Sequence, residues 1–437
     1  MTQFDEAQAY LDALGIDVMK KMRPSMARIE ALCEVLDHPE RAASAVHITG
    51  TNGKTSTAAI ATSLLGATGL SVGTYTSPHL QSVRERIALN GRPIEADVFG
   101  EVFEHIRPFI DLVEKQLGER LTYFEVMTAM FFLWAAEAPV DAMVVEVGLG
   151  GRWDATNVVD APVAVITNIG LDHTGLLGTD KETIAREKSG IIKREAQVVT
   201  AERTPSVLEA ITEEVTEQRA SLVELQKDFS VTDNRIAVGG RYLSVDTSAQ
   251  RYEGLFLPLH GSHQGVNAAV ALEASGRFLS KPLDHDVVAQ GFAETTAPGR
   301  LETVRLQGDE AVPVIVDVAH NPDGMSALVT SLLEAFAFEH AVFVVGILAD
   351  KDYRGMLTEL ARVPCSVIAT KPGNVRSVDV DELAATAADL QLECMAEPDV
   401  ATAIDTALAE APRAGLVCIT GSHYVVGEAR EILVGSD

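Results

Sequence analysis

Short, continuously apolar runs separated by amphipathic stretches constrain this chain more than any other feature. Residues 45–49, 142–147, 163–169, 197–200, 312–318, 341–347, 366–370 and 416–420 are rich in Val and Ile and hardly alternate in polarity. A strand that is apolar on both sides must be covered on both sides, which parallel sheets achieve by packing between helices. Segments 56–66, 181–188, 206–220, 324–337 and 380–388 read as those helices. The pattern predicts an α/β protein: a P-loop-type, mostly parallel sheet flanked by helices, then a smaller Rossmann-like α/β domain. Residues 228–258 are less regular and read as short antiparallel strands with a Gly239-Gly240 turn. A chain of 437 residues exceeds what one hydrophobic core usually organises. The Thr295-Thr296-Ala297-Pro298-Gly299 stretch is the natural divide, giving an N-terminal domain 1–297 and a C-terminal domain 298–437.

Charge narrows the function. The formal net charge of −28 sets a field that repels polyanions, so neither nucleic acid nor an anionic membrane is an expected partner. A nucleotide is different, because its few phosphates are held by local amides, a lysine and Mg2+. The four cysteines, Cys33, Cys365, Cys394 and Cys418, form no CxxC pair and read as reduced thiols. The acidic N-terminus lacks the build of a signal peptide, and the most apolar helical stretch, 124–136, is too short to span a bilayer. A cytoplasmic protein is expected.

The first chemical motif lies at the end of the first apolar run. AVHITG reads as a strand, Gly50-Thr51-Asn52-Gly53-Lys54-Thr55-Ser56 as a turn, and TAAIATSLLGATG as a helix. Glycines let backbone amides turn toward phosphate oxygens, and the helix N-terminus adds a favourable dipole. Lys54 is placed to bridge the outer phosphates, and Thr55 and Ser56 to reach Mg2+. The standard pattern is incomplete, since Ile48 stands at its first glycine, and a tight turn with a surface lysine remains the alternative. Two further runs end in chemistry: MVVEVGLGGRWDATN places Glu146 near a strand end, and VAVITNIGLDHTG places Asp172 and His173 there. Parallel sheets bind ligands at the carboxyl ends of their strands, so Glu146, His173 and the P-loop converge on one Mg2+–nucleotide site. Imidazole is an unusual Mg2+ ligand, so the chemistry alone does not insist on His173.

Together with TSPHL (76–80), RERI (84–87), EKSGIIK (187–193), HQGVNAAVAL (263–272), PGRLE (298–302) and DVAHNP (317–322), these motifs resemble the folylpolyglutamate synthase/dihydrofolate synthase family of the Mur ligase superfamily. They run in family order from residue 45 to TGSHYVVGEA at 420–429. The resemblance implies an ATP-dependent acid–amino-acid ligase. ATP phosphorylates a carboxylate, the amino group of L-glutamate attacks the acyl phosphate, and an amide forms with release of phosphate. Such chemistry asks for charge neutralisation and positioning rather than an enzyme nucleophile.

The resemblance also implies roles. Residues 50–56 with Lys54 hold the ATP phosphates; Ser77, Glu146 and His173 hold Mg2+, with two ions expected. Lys188, by composition a solvent-facing helix cation, matches a lysine that is carbamylated and so becomes a metal ligand; Lys54, His173 and Lys188 form the catalytic group. Asn267 matches an adenine contact, with an N-cap as the structural alternative. Arg300 matches an arginine that reaches the phosphates, and Asp317 and His320 the ribose and phosphate contacts; a salt bridge and a helix cap are the alternatives for Arg300 and Asp317. Contacts on both domains imply that closure assembles the ATP site.

For the pterin-bearing acid, dihydropteroate or a reduced folate, the resemblance implies Arg23, Ser25, Met26 and Arg28 of MRPSMARI. It also implies Thr122, Tyr123 and Phe124 of LTYFE; the Tyr123 and Phe124 rings offer stacking surfaces, with helix-start core as the structural alternative. Trp153 stands where many relatives carry Leu and is a third wall. Lys351, Asp352, Ser422, His423 and Tyr424 are candidates for the incoming glutamate. A monomer is expected. Two departures stand out: Thr55 replaces the glycine usual after the lysine, as in the muramyl peptide ligases, and Val318 replaces Gly or Ala. A UDP-muramyl peptide ligase and a non-catalytic P-loop module are the competing readings; TSPHL, RERI and LTYFE speak for the folate branch.

Overall fold

The computed structural model describes residues 2–15, 25–305 and 312–435. The chain divides into two compact units. One comprises Met1–Thr232, Ser244–Leu255 and Val266–Thr295; the other comprises Asp233–Leu243, Phe256–Gly265 and Thr296–Asp437, thus drawing in two segments upstream of residue 297.

In the first unit, β1 (Ser44–Thr49), β2 (Val72–Tyr75), β3 (Ile87–Leu89), β4 (Arg92–Pro93), β5 (Ala142–Glu146), β6 (Val163–Ile166), β7 (Gln197–Thr200) and β8 (Ser221–Glu224) form one sheet. Its order is β4-β3-β2-β5-β1-β6-β7-β8. The six strands from β2 to β8 are parallel, and β3 and β4 are added antiparallel at one edge. Five central strands are apolar because both faces are covered, as their lack of alternation requires. Helices Gln3–Leu14, Ala27–Val35, Ala96–Leu117 and Tyr123–Glu137 bury one face through residues such as Phe99, Ile106, Met130 and Phe131. Helices Lys181–Ser189 and Pro205–Glu217 pack Ile184, Val207 and Ile211 against β6 and β7.

β9 (Ser230–Ala237), β10 (Gly240–Asp246) and β11 (Arg251–Leu257) make a three-stranded sheet of order β11-β10-β9, at the irregular region of the sequence. In the second unit, β12 (Glu302–Arg305), β13 (Val314–Asp317), β14 (His340–Val345), β15 (Cys365–Ala369), β16 (Glu393–Ala396) and β17 (Gly415–Thr420) are ordered β12-β13-β17-β14-β15-β16. All neighbours are parallel except the β12–β13 pair. No helix among the described residues is long and apolar enough to cross a membrane.

Candidate active site

In the first unit, β2, β5, β1 and β6 are neighbours, and each carries a motif at its carboxyl end. β1 runs into residues 50–56, and the helix Lys54–Ala67 starts directly behind them. The loop is braced from the segment after β6: Asn168 O accepts from Thr51 N at 2.8 Å, Asn168 Oδ1 from Asn52 N at 2.9 Å, and Asn52 O from the Thr167 hydroxyl at 2.6 Å. Gly50 has φ +151, and a Cβ there would fall 1.8 Å from Thr167 Oγ1. Gly53 has φ +84, and its missing Cβ would meet Asn267 Oδ1 at 2.6 Å. Asn267 therefore lies against the loop. It also lies inside the helix Ser262–Leu279 rather than at its start, which removes the N-cap alternative.

Two lysines meet at one oxygen. Lys54 Nζ donates to Gly50 O at 3.0 Å and to Thr51 O at 3.1 Å, while Lys188 Nζ donates to Gly50 O at 2.9 Å. Lys188 is 5% exposed, so the solvent-facing reading does not hold. Burial, and then the charge of Lys54, push its ammonium down to about 7.

Glu146 ends β5 and is 1% exposed. Its Oε1 accepts from the Thr55 hydroxyl at 3.0 Å, and its Oε2 lies 3.5 Å from Ser77 N. The Thr55 departure thus puts a hydroxyl on the buried carboxylate. Asp172 Oδ1 accepts from His173 N at 2.8 Å, and the imidazole Nε2 stands 3.9 Å from Asp172 Oδ2 with His173 at φ 49. Among the described residues, no group of three or more His, Cys, Asp or Glu is placed to hold a metal ion. The groups that do meet, the Glu146 carboxylate and the Thr55 hydroxyl, are hard oxygens of the kind that suit Mg2+, an ion that usually keeps water and phosphate as its remaining ligands.

The segments that the resemblance assigned to the acid substrate carry a second group of side chains. Thr122 caps the helix Tyr123–Glu137 in a reciprocal box with Glu125. Tyr123 is buried; Phe124 is half-buried, tilted against Tyr75 at 5.9 Å and seated on Gly148, where a Cβ would come within 2.4 Å of its ring. Trp153 is 51% exposed. Arg28 is buried with its Nε on Glu125 at 2.9 Å and NH1 on Glu119 at 3.0 Å, so it braces the helix start. Met26 precedes the helix Ala27–Val35, whose Ala27 N donates to Ser25 Oγ at 3.2 Å. Arg23 lies outside the described residues.

Sequence reasoning gave no role to three residues here. Asp154 is buried and accepts from Leu149 N at 2.8 Å and Thr156 N at 3.0 Å, which closes the glycine-rich turn; burial raises its carboxyl. Arg86 of RERI donates from Nε to His79 Nδ1 at 2.9 Å and lies over the Tyr123 ring at 5.2 Å. Burial and the Arg86 charge push the His79 imidazole down to about 3. Membership of GGRWDATN, RERI and TSPHL was the available signal for Asp154, Arg86 and His79.

In the second unit, Asp317 ends β13 and accepts from Leu301 N at 2.8 Å and Ala319 N at 2.9 Å, holding the Arg300–Leu301 turn. The next helix, Pro322–Ala335, is capped by Asn321, so Asp317 is not its cap. Burial raises Asp317, which Arg300 partly opposes. His320 Nδ1 lies 2.9 Å from Val318 O, and its ring faces His423 at 5.3 Å. Ser422 caps the helix His423–Leu433 and donates to Gly346 O at 2.7 Å, while Tyr424 OH accepts from Arg376 NH2 at 2.9 Å. Asp352 caps the helix Tyr353–Leu360 beside the half-buried Lys351.

Residues 48–275 match the Mur ligase middle domain, and residues 299–423 match the Mur ligase glutamate ligase domain. A P-loop sheet followed by that second domain defines an ATP-dependent ligase of the Mur type. The dihydrofolate synthase/folylpolyglutamate synthase of Mycobacterium tuberculosis is 40% identical, over 94% of this chain and 90% of its own. The folylpolyglutamate synthase of that organism, solved with ADP, superposes with a TM-score of 0.94 at 39% identity over 100% of this chain and 99% of its own. An Escherichia coli relative solved in complex with DHPP and ADP gives 0.86 at 29% identity, over 98% of this chain and 97% of its own. The chain belongs to the dihydrofolate synthase/folylpolyglutamate synthase family.

Proposed function

We propose that the chain joins L-glutamate to dihydropteroate, to the γ-carboxylate of a reduced folate, or to both, through an acyl phosphate. The supporting observation is the convergence of Lys54 and Lys188 on Gly50 O beside the buried Glu146 carboxylate. In the reaction, a carboxylate oxygen of the acid attacks the γ-phosphorus and ADP leaves. The glutamate amine then attacks the acyl carbon, loses a proton and expels phosphate. Amides of residues 52–55 and the Lys54 ammonium, which the Gly50 and Thr51 carbonyls now engage, take up the phosphate charge.

Ser77, Glu146, His173 and Lys188 are the residues that would hold Mg2+, one or two ions, which supply neutralisation of phosphate charge. For Lys188 to serve, its neutral amine must add to CO2 and release one proton, giving a carbamate. An amine that titrates at about 7 has the neutral fraction this addition needs. Asn267 is the adenine contact of this reading, with Arg300, Asp317 and His320 supplied by residues 298–437. The half-buried Phe124, with Thr122, Tyr123 and Trp153, faces the pterin side, as do Ser25 and Met26; Lys351, Asp352, Ser422, His423 and Tyr424 serve glutamate. The relative solved with DHPP and ADP supports this substrate pair. A monomeric, cytoplasmic enzyme completes the reading.

Glutamate-dependent ADP release is the test, with dihydropteroate, tetrahydrofolate and UDP-muramyl precursors offered in parallel. Turnover with either pteridine acid is expected. Silence with both, or turnover with the muramyl precursor alone, would sink the assignment.

A further inference from the structure

Arg86 is 5% exposed, and among the described residues no carboxylate pairs with it. A buried guanidinium in that condition is costly unless something anionic completes its surroundings. The carboxylates of the neighbouring segments are committed elsewhere. Glu85, its sequence neighbour, accepts from the amides of Leu80, Gln81 and Ser82 at 2.8, 2.9 and 2.7 Å. Glu125 holds Arg28 and the Thr122 amide, and Asp154 holds Leu149 and Thr156.

Arg86 is nevertheless aimed and braced. Its Nε donates to His79 Nδ1 at 2.9 Å, and the Tyr123 ring lies under its guanidinium. A guanidinium has donors only, so Nδ1 must present its lone pair and the imidazole proton sits on Nε2. The pair therefore offers the remaining guanidinium N–H groups and one imidazole N–H. Among the described residues, none of these remaining donors has an acceptor within hydrogen-bond distance. The loop that carries His79 begins at Ser77, whose amide is 3.5 Å from Glu146 Oε2, so it runs from the phosphate side of the first unit to the acid-substrate segment.

We propose that Arg86 and His79 form a carboxylate clamp for the acid substrate, with Arg86 supplying the charge and a planar fork and His79 a single neutral donor. The inference rests on the pteridine-acid reading above and adds to it the group that would be recognised and the residues that recognise it. A carboxylate fits the fork, and one negative charge balances the buried cation.

Binding, read by fluorescence titration of the full chain with AMPPCP present, tests it. The ligands are dihydropteroate and its carboxamide, and tetrahydrofolate and its α-carboxamide. The wild-type protein should favour acid over amide by about tenfold or more. In Arg86→Met that preference should fall to about twofold or less, with AMPPCP affinity and far-ultraviolet circular dichroism unchanged. Loss with dihydropteroate assigns the reacting carboxylate; loss with tetrahydrofolate alone assigns the α-carboxylate. A preference that survives Arg86→Met with both ligands overturns the clamp. Should Arg86→Met fail to fold, His79→Phe decides: a preference reduced several-fold supports the clamp and an unreduced one overturns it, while His79→Gln, which keeps an N–H, should retain most of it. A wild-type protein that binds acid and amide equally overturns the clamp alone. One that binds none of the four overturns the pteridine reading and the clamp with it.

Discussion

Lys188 is where burial and charge conflict most directly. Its folded ammonium titrates at about 7, against an ordinary value of about 10.4 in an unfolded chain. Because the folded value is depressed, the unfolded chain binds more protons between those two values. The residue therefore destabilises the ligand-free protein fully below pH 7, and the penalty fades as pH rises toward 10. Lys188→Met should raise the melting temperature most near pH 6–7 and progressively less up to pH 10, a trend that thermal scans across that range would check. The same variant should lose ligase activity. In the wild-type protein, activity lost on stripping CO2 should return with bicarbonate, faster as pH rises through 7; a rate of return indifferent to pH would contradict the carbamate. Gly53→Ala should abolish AMPPCP binding, because positive φ and Asn267 Oδ1 both exclude a Cβ, and should cost about 1–3 kcal/mol of stability. At this scale the sequence marked the motifs and was silent about the surroundings of their residues. GTNGKTS and EKSGIIK were legible as motifs, but nothing in the helical spacing of Lys188 told a buried amine from a solvated one.

Among the elements, the start of the helix Tyr123–Glu137 carries unusual responsibility. Glu125 closes the capping box with Thr122 and takes both of its oxygens to Arg28 Nε. Removing one member strands a buried charge, so Glu125→Met should lower stability by about 3–5 kcal/mol. Arg28→Met combined with it should recover most of that loss, as urea denaturation of the single and double variants would show. Arg28 was assigned to the substrate side by resemblance alone, and its pairing with Glu125, 97 positions away, left no local mark in the sequence. The loop of residues 80–82 hangs on Glu85, which holds three successive amides. Glu85→Ala should raise KM for the acid substrate by about tenfold while leaving nucleotide affinity within a factor of two, measured by steady-state kinetics and AMPPCP titration. Long apolar strands were easy to read, and those chosen from the sequence appear as β1, β5, β6, β7, β13, β14, β15 and β17. β2 was not among them. It is four residues long and contains Gly73, whose Cβ would meet Val140 and Trp134 at 3.2 and 3.3 Å; close packing selected a residue that strand propensity disfavours.

For the molecule as a whole, the balance of 35 basic against 63 acidic residues sets solution behaviour more than fold. With a sequence pI near 4.7, the protein should self-associate as pH falls toward 5 and disperse again at pH 8, which light scattering would follow. The α/β class and two sheets were readable from periodicity, because apolar runs covered on both faces have few other solutions. The interleaving of the two units was not, since segments 233–243 and 256–265 join residues far downstream by packing that leaves no local mark.

Gly50 and Thr167 occupy the same few cubic ångströms: a Cβ at one would overlap the hydroxyl of the other, and that hydroxyl ties down the carbonyl of Asn52. The two positions thus share one evolutionary fate. Trimming Thr167 would make room at Gly50 but free the Asn52 carbonyl, and the positive φ at Gly50 would still strain any side chain placed there.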